Sequence, residues 1–459
     1  MTAMRKQGRV GNDLTEGSIL KKLLVFAMPI VLTNLIQQFY SMVDLAVIGK
    51  YVGSIGSVGV ATGGEMADLI APVAMGLSTA GQILIAQQIG ARLEEKVKDS
   101  IGTLITMSMM YAAVLAAVAI IFRRPILHLL NCPEEAMGQA EAYMIITALG
   151  YPFVFGYNAV VGILRGMGES KKPLEFIIIA ATINIFADIL LVKYIPLEAA
   201  GTAIATIASQ AGSFIASFVF MYKNKERFDF EPKLSYFKVD GKIFGTLTKL
   251  AVPQIVRSLF VRFSMMWVNS NVNSYGLTVS ATNSIGNKLQ KFMEVFAQGI
   301  DTAAAAMIGQ NLGARKTDRA GKTVLIAWVL CLGIAGVMAV LCLSFPRQIF
   351  AIMTADTAVQ ELGVSYFRII VIHFFVSATT ATFQAMVTGC GFVSLGFALG
   401  ILDGVVCRIG ISLFFLHVLH AGYESFWWGT AFSRVLPGVL CIGYFLSGKW
   451  KTRKLLTES

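Results

Sequence analysis

Two polar side chains interrupt the segment ATINIFADILLV, which spans residues 181–192. Asn184 and Asp188 are four residues apart, so both would project from one face of a helix. An unpaired carboxylate in the hydrocarbon core of a bilayer costs at least about 2.5 kcal/mol, and such residues usually face a cavity, a partner or an ion. If this helix crosses a membrane, the pair is a candidate site for a small cation or a proton.

The composition is that of a polytopic membrane protein. Of 459 residues, 56% are hydrophobic and only 14% are charged, whereas a soluble domain carries roughly a quarter charged residues. Long apolar runs recur along the chain and predict an all-α membrane protein with twelve transmembrane helices. We expect these helices near residues 19–47, 53–88, 100–121, 137–163, 173–195, 199–222, 246–272, 279–310, 322–344, 362–388, 394–417 and 425–446.

The polar interval between residues 223 and 242 separates the predicted helices into two groups of six. We therefore expect an N-lobe (19–222), a cytoplasmic linker (223–245) and a C-lobe (246–446), with cytoplasmic tails at 1–18 and 447–459. Most Lys and Arg residues fall on the side of the two tails, which places both termini in the cytoplasm. The opposite side holds only Lys50, Arg123, Arg124, Lys193 and Arg347.

The two halves are copies of one another. Residues 76–92 read GLSTAGQILIAQQIGAR and residues 299–315 read GIDTAAAAMIGQNLGAR, an offset of 223, and Pro29 recurs as Pro253. An even number of helices in each half gives both copies the same orientation, which predicts two six-helix bundles related by a pseudo-twofold axis along the membrane normal. Such repeats suit alternating access around a central site.

At this point the sequence resembles the MATE family of multidrug and toxic compound extrusion antiporters. The resemblance covers essentially the whole chain: the proline early in helix 1, MVDLAVIG at 42–49, ILRGMGESKKP at 163–173, and the paired ends of helices 2 and 8. It implies export of large, often cationic and aromatic, organic compounds in exchange for inward Na+ or H+.

The resemblance also implies a cation site in the N-lobe formed by Asp44, Asn184, Asp188 and Thr206. Under the charge-based topology, Asp44, Asp188 and Thr206 lie in the outer half of the lobe. Hard oxygen donors at one depth can replace the hydration shell of a small cation, and two neighbouring carboxylates can instead share a proton. Alternatively, Asp188 makes a polar contact between helices, Asp44 is hydrated at the outer interface, and Thr206 packs as an ordinary membrane threonine.

One branch of the family places functional carboxylates in helices 7 and 10 of the C-lobe. Here helix 7 carries Arg257 and Arg262 without an acid, and helix 10 carries Arg368 and Gln384 with only Glu361 near its start. A C-lobe cation site of that kind is therefore not expected, and the N-lobe site is favoured.

The repeat places opposite charges at equivalent positions of the two lobes. Glu65 and Asp68 of helix 2 correspond to Lys288 and Lys291 of helix 8 at the offset of 223. We interpret these residues as a gate that could close the outer side between the lobes. Alternatively, a lysine pairs with Glu294 in its own helix, or all four residues line a wet vestibule.

Flexible and aromatic side chains mark a possible substrate path. Methionine is polarizable and adapts to varied aromatic compounds, although an apolar core would also contain methionines. The residues we assign to this path are Gln37, Tyr40, Met66, Met265, Met266 and Met293.

The main functional prediction is a secondary-active multidrug exporter without enzymatic chemistry and without a cofactor. No Walker A sequence provides an ATP site. One alternative is a flippase for lipid-linked precursors, which would need an arginine-lined cavity, and the arginines that could supply it are Arg257, Arg262, Arg368 and Arg408. Another alternative is an intramembrane lipid-modifying enzyme, which would need clustered acids at the cytoplasmic face. The only acid cluster in the sequence there is EEKVKD at 94–99, which we interpret as a solvated loop.

We expect small organic molecules and lipid as partners, no nucleic acid, a plasma (inner) membrane location and a functional monomer.

Overall fold

The computed structural model describes residues 12–225, 237 and 239–456, apart from the side chains of Leu45 and Met293. The described residues form helices and contain no β-strand, which confirms the predicted fold class. The helices are α1 (Ile19–Tyr51), α2 (Gly53–Gly90), α3 (Glu94–Ile121), α4 (Arg123–Leu129), α5 (Glu134–Leu149), α6 (Tyr151–Gly166), α7 (Lys171–Asp188), α8 (Glu198–Lys223), α9 (Gly241–Asn273), α10 (Leu277–Gly313), α11 (Thr317–Ser344), α12 (Pro346–Ala351), α13 (Thr357–Gly389), α14 (Val393–Ile401), α15 (Arg408–His417), α16 (Glu424–Phe432) and α17 (Val435–Leu446).

Most of these helices are long and apolar enough to cross a bilayer. A π-helical turn, Ile189–Tyr194, extends α7, and another, Leu402–Cys407, joins α14 to α15. Counting these extended helices and the consecutive helices α16 and α17 (Glu424–Leu446) as single spans, nine spans qualify among the described residues, and the pair α5 and α6, bent by 43°, makes a tenth. The helices α9 and α10 are equally long but more polar and do not qualify by the same measure; with them the described residues contain twelve long helical segments, which fits a twelve-helix fold.

The internal repeat extends to the helix boundaries. The third helix of each half, α3 or α11, begins and ends 223 residues from its counterpart. Arg92 and Arg315, which follow α2 and α10, both adopt a left-handed backbone with φ of 58° and 56°. Each donates its backbone N–H three residues back, to the carbonyls of Ile89 and Leu312. The Gly-Ala-Arg motif is therefore a helix-terminating turn used twice.

The chain forms two compact units whose division differs from the predicted lobes. One unit comprises the residues up to Asp13 together with Leu32–Ala251, and the other comprises Leu14–Val31 together with Val252 onward. Both divisions fall within a long helix and close to the repeated prolines, Pro29 in α1 and Pro253 in α9.

Four helices begin five or six residues before their predicted starts: α3 at Glu94, α9 at Gly241, α11 at Thr317 and α13 at Thr357. In α3 and α9, local N-terminal signals extend the helix beyond the apolar run. The EEKVKD segment is not a loop but the first turns of α3, where Glu94 and Glu95 lie at the positive end of the helix dipole and Val97 is buried. The helix α9 begins at Gly241 rather than 246, because Asp240 Oδ1 accepts the N–H groups of Lys242 and Ile243 at 2.8 and 3.0 Å.

Candidate cation-binding site

The carboxyl groups of Asp44 in α1 and Asp188 at the end of α7 lie within hydrogen-bonding reach of each other. Asp188 has no exposed surface, and Asn184, one turn earlier, is 2% exposed. Both oxygens of Asp188, Oδ1 of Asp44 and Oδ1 of Asn184 are buried without a hydrogen-bond donor among the described residues. If both carboxyls are ionised, neither can donate to the other, so these oxygens form a concentrated acceptor site.

The backbone changes its winding directly after Asp188. The π-helical turn Ile189–Tyr194 begins at the next residue, and such turns occur frequently at functional sites. The helix α8 packs closely against this turn because Gly201 lacks a side chain: a methyl group built there would lie 2.8 Å from the carbonyl oxygen of Leu191. A glycine at this position thus allows α8 to approach the segment that carries the carboxylate.

Thr206 lies at the level of the carboxylate but is not shown to contact it. The helix α8 runs antiparallel to α7, since Gly201 lies against Leu191 and Gly212, further along α8, lies against the earlier residue Ile183. Thr206 lies between those two contacts, close to the level of Asp188, and is half-buried. Its assignment to the site stays a prediction.

Two tyrosines lie near the carboxylates. Tyr40, which we assigned to the substrate path, is within electrostatic reach of Asp44 one turn along α1. Tyr143 of α5 is within reach of Asp44, Asp68 and Asp188. Tyr143 was missed because nothing in its local sequence marks it, and only the packing of α5 against α2, at Gly63, places it there.

The donor set suits a hard cation or a proton. Within the described ranges, no group of three or more His, Cys, Asp or Glu side chains is placed to hold a metal ion. Carboxylate and amide oxygens are the ligands that hard cations prefer. Two adjoining carboxylates can equally share one proton.

The four residues of the predicted gate lie on α2 and α10. Glu65 is half-buried and Asp68 is exposed in α2, while Lys288 and Lys291 are exposed on α10, and their role as a gate stays a prediction. Glu294 is occupied elsewhere, since it accepts from Gln290 at 3.1 Å and contacts His373.

The structure also locates the residues assigned to the substrate path. Gln37 and Met66 are half-buried and Met266 is exposed, while the side chain of Met293 lies outside the described part of the chain. The half-buried Met265 accepts a contact from the guanidinium of Arg408, 2.8 Å from its sulfur. Their role on a substrate path stays a prediction.

The second unit contains a buried charge cluster that the sequence did not reveal. Asp403, in the π-helical turn after α14, is 1% exposed. Arg257, Arg434 and Arg408 approach its carboxylate to 3.2, 3.4 and 3.7 Å. Gly404 lets this turn contact α9, because a methyl group there would lie 2.5 Å from Cβ of Phe260. Three arginines around one carboxylate leave positive charge available to neighbouring groups.

A cavity of about 170 Å³ adjoins this cluster, with Arg257, Glu294, Asp301, Gln384 and Arg434 among its lining residues. Oδ1 of Asp301 is buried without a hydrogen-bond partner in the described structure. The two acids of this cavity, Glu294 and Asp301, belong to α10, which is the eighth of the predicted transmembrane helices. From the sequence we looked for acids only in the seventh and tenth predicted helices and therefore overlooked them. A signal existed, because Asp301 interrupts the apolar motif GIDTAAAAMIG as Asp188 interrupts its own helix.

Comparisons with known proteins agree with this architecture. The family model described as MatE matches residues 29–190 and again 253–413, once in each half. The chain is 25% identical over 446 residues to the probable multidrug resistance protein YpnP of Bacillus subtilis, covering 97% of this chain and 99% of that protein. It is 28% identical over 344 residues, or 74% of each chain, to the probable multidrug resistance protein YoeA of the same organism. A crystal structure described as MATE in the bent conformation superposes with a TM-score of 0.89 at 18% identity, covering 96% of this chain and 98% of that one.

Proposed function

Because this chain belongs to the MatE family of membrane transporters, we propose that it is a multidrug exporter that exchanges organic compounds for inward Na+ or H+ by alternating access. Relatives that match it over most of their length are named as multidrug resistance proteins. Family members are transporters, so the chain is not an enzyme. The proposed substrates are large organic molecules, often cationic and aromatic.

The main support for ion coupling is the set of buried acceptor oxygens on Asp44, Asn184 and Asp188. Burying carboxylates without donors is costly in a membrane, and binding a cation or a proton removes that cost. A state of the transporter that brings these oxygens together would be favoured by the bound ion to the extent that it binds the ion more tightly than the other state does. We assign Asp44 and Asp188 as the charged ligands, with Asn184 as a neutral oxygen donor.

The charge of the C-lobe cavity favours an exporter over a flippase for anionic lipid precursors. Such a flippase would need a cavity lined by arginines without neighbouring acids. Here Arg257 and Arg434 are bound to Asp403, and Glu294 and Asp301 line the same cavity. The lining is thus of mixed charge.

Reconstituted protein provides the test. Purified transporter in liposomes is given a fluorescent organic cation under an imposed Na+ or H+ gradient, and Asp188→Asn is compared with wild type. A matched control is Asp318→Asn, which removes an exposed carboxylate (88% exposed). We expect one gradient to drive uptake in wild type and the control, and Asp188→Asn to abolish it. Folded wild type that ignores both gradients would contradict the proposal.

Asn184→Leu then identifies the ion. A neutral amide oxygen can coordinate Na+, but a proton shared by two carboxylates does not need it. If Na+ is the coupling ion, this variant should require a much higher Na+ concentration for the same uptake. If H+ is the ion, transport should be largely retained.

We also propose a plasma membrane location, cytoplasmic termini and a functional monomer. The excess of Lys and Arg on the side of the two tails supports the orientation, and the presence of both repeats in one chain supports the monomer. Reaction of single cysteines introduced near each terminus with an impermeant reagent, in intact and opened cells, tests the orientation.

A further inference from the structure

A groove opens at one end of the second unit, between the start of α14 and the end of α17. Its volume is about 600 Å³. Its floor is apolar and includes Phe392, Leu395 and Leu440, and its rim carries Lys449, Arg453 and Lys454. The helix α14 begins one candidate membrane span, Val393–His417, and α17 ends another, Glu424–Leu446, so the groove lies at the ends of two spans, where we expect the surface of the bilayer.

The basic rim is held in place by aromatic packing. The ring of Trp450 stacks on Phe445, with 5.8 Å between centroids and 8° between planes. The guanidinium of Arg453 lies 4.0 Å from the centroid of the Phe392 ring, a cation–π contact. The segment after α17 is thereby fixed across the mouth of the groove.

The charge of this segment is one-sided. Residues 447–456, SGKWKTRKLL, contain four basic residues and no acid. Lys451 is bound to Asp318 at 3.6 Å, but Lys449, Arg453 and Lys454 have no carboxylate partner among the residues that the structure describes. A groove with an apolar floor and a cationic rim at the level of the headgroups is complementary to one amphipathic, negatively charged ligand.

We propose that this groove binds an anionic phospholipid. Its phosphate lies between Lys449, Arg453 and Lys454, and an acyl chain runs along Leu395 and Leu440. The site is separate from the buried carboxylates described above and does not depend on transport.

Gly443 provides a way to block the groove. It lines the groove, and a Cβ atom built there would meet no atom within 4 Å, so the side chain of Gly443→Phe starts in open space and its ring can occupy the groove. Gly333 on α11 is exposed and equally open, and Gly333→Phe adds the same ring outside the groove. Lys454→Ala removes a rim charge, and Lys451→Ala is its control in the same segment.

The experiment titrates the purified full-length protein in detergent with phosphatidylglycerol or phosphatidylcholine of identical chains and counts bound lipid by native mass spectrometry. We expect wild type, Gly333→Phe and Lys451→Ala to retain phosphatidylglycerol in clear preference. Gly443→Phe should lose that preference, and Lys454→Ala should weaken it about fivefold, since a basic residue near a membrane surface contributes roughly that factor.

Equal binding of the two lipids by wild type would overturn the proposal. So would unchanged phosphatidylglycerol binding by Gly443→Phe, or equally tight binding of glycerol phosphate without acyl chains. If Gly443→Phe does not fold, as judged by its melting temperature without lipid, Lys454→Ala against Lys451→Ala decides the question alone.

Discussion

His373 of α13 and Glu294 of α10 form a contact between two helices, and His373 is only 1% exposed. Nδ1 of His373 is 3.0 Å from the carbonyl oxygen of Thr430, and Nε2 is 2.8 Å from Oε1 of Glu294. Both ring nitrogens thus face acceptors, while a neutral imidazole carries a single N–H. Glu294 and the carbonyl of Thr430 together fix the orientation of the buried ring.

This contact predicts that position 294 needs a hydrogen-bonding side chain. Glu294→Ala leaves one ring nitrogen of the buried His373 without its partner, and an unsatisfied buried polar group costs about 1–3 kcal/mol. Glu294→Gln keeps an amide that can donate to or accept from that nitrogen. We expect the melting temperature of Glu294→Ala to fall below that of Glu294→Gln, and equal melting temperatures of the two variants would contradict a stabilising contact.

The two carboxylates of the N-terminal unit should act as one site. Asp44→Asn and Asp188→Asn should each abolish gradient-driven uptake, and the double variant should be no worse than either, since all three remove the same bound ion. Contacting residues in one network are expected to be non-additive. Two partial losses that multiply in the double variant would instead indicate separate sites.

Gly201 should be intolerant of even a methyl group. Gly201→Ala places that methyl 2.8 Å from a backbone oxygen of Leu191, and overpacking of this kind typically costs about 1–3 kcal/mol. Gly138→Ala in α5 meets no atom within 4 Å and removes a helical glycine, which favours the helix by about 1 kcal/mol. We expect the melting temperature to fall for the first variant and to hold or rise for the second.

Asp403 should be required for stability because its buried carboxylate is the negative charge that three arginines approach. Asp403→Asn leaves Arg257, Arg408 and Arg434 close together in a buried site, and breaking a buried ion pair costs about 3–5 kcal/mol. The double variant Asp403→Asn/Arg257→Gln should be more stable than the sum of the two single effects predicts. Thermal unfolding in detergent measures both quantities, with Asp318→Asn as the exposed control expected to change stability little. Additive losses would show that the arginines do not depend on Asp403.

The sequence by itself determined the class, the helices and the repeat. Apolar runs identify membrane spans because the bilayer sets their length and excludes charge. The repeat could be recognised because the motifs that end α2 and α10 are similar and 223 residues apart. An acid in an apolar run, as at Asp188, was also visible without a structure. The starts of the helices at Glu94 and Gly241 were harder to predict, because the acidic residues that stabilise a helix N-terminus also occur in ordinary polar loops.

Only the tertiary structure decided which polar residues meet. It brought Asp44 of α1 to Asp188 of α7 and placed Tyr143 beside them, and it gathered Arg257, Arg408 and Arg434 around Asp403. It also showed that Glu294 binds His373 from another helix rather than a lysine of its own. Helical periodicity fixes the face on which a side chain lies but not the helix that this face packs against, and that choice depends on close approaches at residues such as Gly63, Gly201 and Gly404.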